Sequence, residues 1–385
     1  MPARMTRREL TLAAAAAGAL SAQNKTEPDY KGALEAHETS IKPSEFDPVA
    51  WTRERWESAP LRLTFKAKDR AEAQAWQRQL RAKLVDLIGG FPTRRSAPHA
   101  ELLESREFPS YRRDKLIMQT RPGVSQLMYL LTPKGVAKPM PAIVCVPGHG
   151  RGADDIVGID EHGGDRIDKA GYQHDFAIQV AEHGAAAIAV EPLAFGCRRD
   201  PVTRKKGLSA TACQPSAGSA LLFGETMIGW RVYDVMRTID WIETRPELDP
   251  NRIGCMGISG GGTCTLFSTA LDPRIRAAFV SGYLNIFRDC IMSVSHCIDN
   301  YVPGILNWAE MYDVAGLIAP RPLFSEGGDK DPIFPVAATR ESYARVRNIY
   351  KVFGAQDAVQ QEIFEGVHEF HGVRGLPFLM EQIRA

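Results

Sequence analysis

Residues 254–264 read GCMGISGGGTC, which places five glycines around one serine, Ser259. Each glycine loses more backbone freedom on folding than an alanine would, so such a run needs a reason. The glycine-rich part of this stretch, 257–262, follows an apolar run at 252–256 and precedes a helical pattern at 263–271. A flexible surface turn, a phosphate loop and a sharp turn that presents a catalytic serine are the three interpretations to compare.

The chain around this stretch alternates between short apolar runs and helical patterns. The runs are nearly continuous in apolar residues, as in parallel strands that are buried on both faces. This rhythm predicts an α/β fold with a doubly wound, mostly parallel sheet and helices on both faces. The predicted strands are 142–146, 185–190, 252–256, 277–280, 322–324 and 361–364, and the predicted helices are 68–88, 226–245, 263–271, 336–352 and 373–383; residues 100–132 add paired strands.

The glycine cluster fits one of the three interpretations best. A phosphate loop would need a lysine after the glycines, but residues 263–265 read TCT. A dinucleotide fingerprint needs a different glycine spacing. Gly257, Ser259 and Gly261 instead match G-x-S-x-G, the nucleophile elbow, in which the serine lies on a strained turn between a strand and a helix. The sequence therefore predicts a serine nucleophile.

A serine nucleophile needs a base and an acid that orients it, and α/β-hydrolases carry them in the order Ser, acid, His. Asp331 follows the next-to-last predicted strand, and His368 follows the last. Asp331 is preferred over Asp329 because Pro332 fixes the turn just beyond it. His368 is preferred over His371 because it is closer to the strand end. Ser259, Asp331 and His368 are thus the predicted catalytic residues.

The loop after the predicted strand 142–146 reads PGHGRG at 147–152 and should supply the second oxyanion donor. We expect the backbone N–H groups of His149 and Gly260 to form the oxyanion hole. The alternative is that the His149 ring binds a metal near two acidic residues, Asp154 and Asp155. No second histidine stands at a metal-binding spacing, so neither a metal nor a cofactor is predicted.

Composition restricts the partners of the protein. Of 385 residues, 44% are hydrophobic, and 47 Lys and Arg balance 46 Asp and Glu to a formal net charge of +1. This balance argues against nucleic acid or an anionic membrane as a partner, the latter once a signal is removed, and for a small or neutral substrate. The seven cysteines are odd in number and contain no CxxC pair, which argues against a disulfide framework or a zinc site. Nothing in the sequence indicates the oligomeric state.

The first residues have the pattern of an export signal. Arg7 and Arg8 precede a short apolar run at 11–20, and small residues follow at 21–22. The paired arginines indicate the twin-arginine route to the periplasm or medium, and the run is too short to span a bilayer. An amphipathic first helix is the alternative. The predicted organisation is a signal at 1–22, an extended arm at 23–64 and a catalytic domain at 65–385.

Several segments together resemble the bacterial α/β-hydrolase group that is related to acetyl xylan esterases and the dienelactone-hydrolase clan. The resemblance covers residues 65–385 and implies a serine hydrolase with Ser259, Asp331 and His368 as its triad. Dienelactone hydrolases use cysteine at the elbow, so Ser259 favours esterase chemistry, and the resemblance to acetyl xylan esterases implies deacetylation of plant polysaccharide. The matching segments are PGHGRG (147–152), EPLAFGCR (191–198), 229–262, HCIDNYVPGIL (296–306), DVAGLIAPRPL (313–323), GGDKDPIFP (327–335) and GVHEFHG (366–372).

Some assignments remain open at this point. Arg198 and Trp230 are candidates for the substrate pocket; alternatively, Arg198 pairs with Glu191 and Trp230 lies in the core. Residues 296–303 are expected to form a loop above the site. A peptidase of the prolyl oligopeptidase type shares the elbow, but the residues before 65 are too few for a propeller domain. A non-catalytic binding protein on the same fold is the other alternative.

Overall fold

The computed structural model describes residues 32, 34–37, 39–208, 210–293 and 296–384. The predicted export signal at 1–22 lies outside these residues. The described chain falls into two compact units, one that ends at Glu54 and one that begins at Arg55. Within the predicted arm, helix α1 (Pro48–Glu57) was not indicated by the sequence, because none of its side chains is buried and it therefore has no apolar stripe. The predicted domain boundaries stay a prediction.

A nine-stranded sheet forms the centre of the second unit, in the order β1-β2-β3-β5-β4-β6-β7-β8-β9. The first three strands pair antiparallel, and β3 meets β5 antiparallel. From β5 to β9 every pair is parallel. The strands are β1 (Ala100–Glu107), β2 (Tyr111–Arg121), β3 (Val124–Pro133), β4 (Met140–Val146), β5 (Ala186–Val190), β6 (Leu248–Ile258), β7 (Ile275–Ser281), β8 (Leu323–Gly328) and β9 (Val359–Phe364).

Helices cover both faces of this sheet. Along β4, Ile143 and Cys145 pack in the same cluster as helices α3 (Phe176–Glu182) and α10 (Gly375–Arg384). Ala142 and Val144 pack with helix α6 (Met227–Ile242) on the opposite face. Both faces of the central strands are therefore dry, which explains their continuous apolar sequence. The remaining helices are α2 (Arg70–Leu87), α3 (Phe176–Glu182), α4 (Pro201–Arg204), α5 (Cys213–Leu222), α6 (Met227–Ile242), α7 (Gly260–Leu271), α8 (Met311–Gly316), α9 (Val336–Val352) and α10 (Gly375–Arg384).

The predicted fold class is confirmed. Helix α9 has the predicted bounds, and α7 begins three residues before the predicted start, directly after Ser259. Because β4, β6, β8 and β9 are parallel, the loops that follow them meet at one edge of the sheet, which is where ligands bind in such folds. Within the described residues, no helix combines the length and hydropathy that crossing a membrane requires.

Candidate active site

Ser259 lies at the tip of a sharp turn between β6 and α7. Its backbone has φ 57° and ψ −122°, a conformation that L-residues rarely adopt. A Cβ on Gly257 would come within 2.5 Å of the Val146 carbonyl oxygen, and a Cβ on Gly261 would come even closer to that oxygen. The glycines are therefore required by the close approach of β4 to the turn. This is the geometry that the G-x-S-x-G pattern predicts.

The structure brings His368 and Asp331 together at the ends of β9 and β8. Nδ1 of His368 lies 2.7 Å from Oδ2 of Asp331. The other oxygen of this carboxylate accepts the N–H groups of Ile333 at 2.8 Å and Phe334 at 3.1 Å. Asp331 is 7% exposed, so its position is fixed by buried hydrogen bonds on both oxygens.

The imidazole of His368 is held between two aromatic rings. Tyr172 stacks on it at 5.9 Å between centroids, and Phe334 at 5.6 Å. A Cβ on Gly282 would lie 3.0 Å from its Cε1, so the absence of a side chain there makes room for the ring. Nε2 is buried and has no hydrogen-bond partner among the described residues. The ring therefore has one nitrogen bound to a carboxylate and one nitrogen available for a proton transfer.

The loop at 147–152 includes N–H groups that have no acceptor among the described residues, and that of His149 is one of them. The N–H of Gly148 donates to Gln173 at 2.7 Å, and that of Arg151 donates to Asp155 at 2.7 Å. The hydroxyl of Tyr172 donates to the carbonyl of His149 at 2.7 Å and so fixes that peptide. No acceptor for the N–H of His149 is found in the described chain. Gly260 is the first residue of α7, where N–H groups lack intrahelical acceptors.

These groups surround one cavity of about 430 Å³. The walls combine aromatic and apolar side chains with three histidines, and none of the eleven lining residues is Lys or Arg. Burial lowers the pKa of His296 to about 4, so its ring is neutral near pH 7. Its Nε2 is buried and lacks a partner among the described residues. The lining residues are His149, Tyr172, Ser259, Gly260, His296, Cys297, Asn300, Pro332, Ile333, Phe334 and His368.

Two predicted substrate-binding residues do not line this cavity. Arg198 donates to the backbone carbonyl of Glu191 at 2.8 Å and to the carboxylate of Asp234 at 2.7 Å. Its side chain is only 6% exposed. Trp230 donates from Nε1 to the Glu225 carboxylate. Both side chains thus have structural partners, and a role in substrate binding stays a prediction.

The two rejected candidates have partners away from the His368 pair. Asp329 accepts the N–H of Gly366 at 3.1 Å. Nδ1 of His371 lies 3.5 Å from a carboxylate oxygen of Glu362. The structure thus gives the choice of Asp331 over Asp329, and of His368 over His371, a geometric basis.

Sequence reasoning missed a buried polar cluster beside the cavity. Nε2 of His149 lies 3.3 Å from Oδ2 of Asp299, which also accepts a hydrogen bond from Arg231. Burial alone would lower the pKa of His149, but the charge of Asp299 outweighs it and raises that pKa to about 9. Cys213 lies 3.3 Å from the same carboxylate oxygen. Residues 296–303 were expected near the site, but nothing in the local pattern linked them to Cys213.

Two buried carboxyl groups support the loops around the site. Glu191 accepts the N–H of Ala153 at 2.8 Å, and burial raises its pKa to about 8. Glu326 accepts the N–H groups of His371 and Gly372, each at 2.9 Å, and burial raises its pKa to about 7. These carboxyl groups anchor the loop after β4 and the loop after β9.

A serine elbow after a central parallel strand, with an acid and a histidine after later strands, defines an α/β-hydrolase fold. The chain belongs to the Abhydrolase family, whose model matches residues 58–363. The family resemblance expected from the sequence is thereby confirmed.

Individual proteins are also similar to this chain. The chain is 25% identical over 285 residues to the "Putative hydrolase YtaP" of Bacillus subtilis. The aligned region covers 72% of this chain and 89% of that protein. Among solved structures, a "putative acetyl xylan esterase" of Bacteroides fragilis superposes with a TM-score of 0.70 and 21% identity over 89% of this chain and 90% of that one. A glucuronoyl esterase of Solibacter usitatus superposes with a TM-score of 0.61 and 16% identity. This match covers 84% of this chain and 96% of that one. At these identities the structural matches establish the fold.

Proposed function

We propose that the protein is a serine esterase that cleaves carboxylic esters through an acyl-enzyme. The observation that carries this proposal is the Asp331–His368 pair, whose free Nε2 belongs to the same cavity as Ser259 on its strained elbow. A histidine with one nitrogen bound to a carboxylate and the other free is arranged to accept the serine proton. The roles are therefore nucleophile for Ser259, general base for His368 and orienting acid for Asp331.

The reaction would proceed in two halves. Ser259 Oγ attacks the ester carbonyl while His368 takes its proton, and the carboxylate of Asp331 stabilises the imidazolium. His368 then returns the proton to the leaving alcohol, which departs and leaves an acyl group on Ser259. Water, deprotonated by His368, attacks this acyl group and releases the acid.

The oxyanion of each tetrahedral intermediate would be bound by the N–H groups of His149 and Gly260. The N–H of His149 has no acceptor in the described chain, and Gly260 starts α7. The positive end of the helix dipole adds to this stabilisation. Loss of one such donor costs on the order of 3 kcal/mol of transition-state stabilisation.

We propose an acetylated carbohydrate or another small ester as the substrate. The cavity volume of about 430 Å³ lies in the range of about 300–1,000 Å³ for small-molecule sites. Its lining residues include no Lys or Arg, and aromatic and apolar side chains form much of its wall. Two proteins of similar fold are named as a putative acetyl xylan esterase and a glucuronoyl esterase.

The test is hydrolysis of p-nitrophenyl acetate, butyrate and octanoate, and release of acetate from acetylated xylan. Wild type should prefer acetate over octanoate. Ser259→Ala should lose the activity, whereas Ser219→Ala on the exposed face of α5 should retain it. Equal inactivity of wild type and Ser259→Ala on every ester would contradict the proposal.

We also propose export of the enzyme by the twin-arginine route. The support is the sequence of residues 1–22, in which Arg7 and Arg8 precede the apolar run. Replacement of both arginines by lysine should move the esterase activity from the periplasmic to the cytoplasmic fraction. An unchanged distribution would refute this route.

A further inference from the structure

Four potential metal ligands form a cluster at the edge of the candidate active site, and their side chains have no role in the proposed ester cleavage. We name it the thiol cluster. One ligand atom from each residue lies within 4.8 Å of the other three. The thiol cluster consists of His149, Cys213, Cys297 and Asp299.

We propose that the thiol cluster binds one divalent cation of the zinc class. Two thiols, one imidazole and one carboxylate form a donor set that suits zinc, because thiolate and imidazole ligands select this ion over Mg²⁺ or Ca²⁺. Sequence spacing does not indicate this site, because the four residues show no metal-ligand pattern, and the alternative considered for His149 placed Asp154 and Asp155 near its ring. The fold brings them together from the loop after β4, the start of α5 and the segment after β7.

Three distances among the ligand atoms can be compared with tetrahedral coordination. With bonds of about 2.0–2.1 Å to nitrogen and oxygen and about 2.3 Å to sulfur, tetrahedral N and O atoms lie about 3.3–3.4 Å apart, and S lies about 3.6 Å from either. Nε2 of His149 is 3.3 Å from Oδ2 of Asp299 and 3.6 Å from Sγ of Cys213. The third distance, from that sulfur to Oδ2, is 3.3 Å, so binding of the ion would move these two atoms about 0.3 Å apart. The sulfur of Cys297 lies within 4.8 Å of all three atoms.

The buried charges around the thiol cluster balance a divalent ion. Two thiolates and one carboxylate supply three negative charges. Arg231, which is 4% exposed, donates to Asp299 and lies 3.6 Å from the sulfur of Cys213. Its positive charge and the two charges of the cation bring the total to zero, as a buried site requires. Arg231 would thus be a partner of the ligands and not a ligand.

Four protein ligands would leave no open position on a tetrahedral ion, which is typical of a structural site. The cation would join three segments that line or adjoin the cavity. One of them carries the N–H of His149, the proposed oxyanion donor. We therefore expect the ion to stabilise the fold and to fix this peptide without contacting the ester.

The experiment measures metal bound to the purified full-length chain. After incubation with Zn²⁺ and desalting, wild type should hold about one ion per chain by elemental analysis. The double variant Cys213→Ser, Cys297→Ser should lose at least nine-tenths of it, and wild type should melt at a higher temperature with Zn²⁺ than without. Cys197→Ser, which changes an exposed thiol, is the matched control and should bind as wild type does.

Substitution with Co²⁺ tests the ligands without relying on the folding of a variant. Wild type should develop the visible bands of tetrahedral cobalt and a thiolate-to-cobalt charge-transfer band. Absence of these bands, a zinc content that the double variant retains, or a disulfide between Cys213 and Cys297 in the purified protein would overturn the proposal. Ser259→Ala should bind the ion normally while lacking esterase activity, so this site and the proposed function can fail independently.

Discussion

Replacement of Ser259 by glycine should make the protein more stable than replacement by alanine. Both substitutions remove the proposed nucleophile, so both variants should be inactive. Only glycine can adopt φ 57° without strain, because alanine still carries a Cβ. The comparison therefore isolates the backbone strain at the elbow.

The expected difference can be worked from this one backbone angle. A non-glycine residue in such a region costs about 1–3 kcal/mol. Glycine loses about 0.5–1 kcal/mol of that advantage through the entropy of the unfolded chain. The free energy of unfolding of Ser259→Gly should therefore exceed that of Ser259→Ala by up to about 2.5 kcal/mol, with a central value of about 1 kcal/mol.

Urea denaturation, followed by circular dichroism, measures this difference from the midpoints and slopes. Ser219, exposed within helix α5, supplies the matched pair. There the glycine variant should be the less stable one, by about 0.5–1 kcal/mol. If glycine also destabilises relative to alanine at position 259, the elbow is not strained and the reasoning fails.

Three further predictions concern the site and its support. Asp331→Asn should lower kcat by roughly 10³–10⁴-fold, whereas Asp329→Asn should change it little; a similar loss in both would refute the assignment of the acid. Gly261→Ala should abolish soluble folded protein, because its Cβ would meet the Val146 carbonyl, while Gly218→Ala has open space and should gain about 0.5–1 kcal/mol; a soluble, stable Gly261→Ala would contradict the packing. Burial raises the pKa of Glu191 from 4.5 to about 8. The folded protein thus holds a proton that the unfolded chain has released, so this group should lower stability by about 2 kcal/mol from pH 6.5 to 8.5. Urea titrations of wild type and Glu191→Gln should show that glutamine reduces this pH dependence; an identical dependence would show that the carboxyl is ionised throughout.

The parts of the site that the sequence predicted are those that strand ends determine. Ser259, Asp331 and His368 each follow an apolar run, and parallel strands bring such loops to one edge of the sheet. The choice between Asp331 and Asp329 required only the turn at Pro332. Local patterns were sufficient here because the fold class fixes where each loop ends.

Interactions between distant segments could not be predicted in the same way. Arg198 was a candidate for the pocket, but its guanidinium binds Asp234 on α6. Cys213 and Asp299 reach the ring of His149 only through the packing of α5 and the segment after β7. Hydrophobic periodicity does not predict such contacts, because each of these residues lies in a different loop or helix end.

The aromatic environment of His368 was also absent from the sequence analysis. Tyr172 lies in the long connection between β4 and α3, where no repeating pattern marks it. Helix α1 was missed for a related reason, since it buries no side chain and so has no apolar stripe. Pattern-based reasoning detects elements through the side chains that they bury.

Labelling with a fluorophosphonate tests whether Ser259 is the nucleophile, because this reagent preferentially phosphonylates a serine that is activated for attack. Intact mass should rise by one phosphonyl group per chain, the modified peptide should contain Ser259, and p-nitrophenyl acetate hydrolysis should fall in proportion to the labelled fraction. Asp331→Asn should react far more slowly, since His368 would lose its orienting carboxylate. Labelling at another residue, or undiminished hydrolysis after complete labelling of Ser259, would contradict the assignment of Ser259 as the nucleophile.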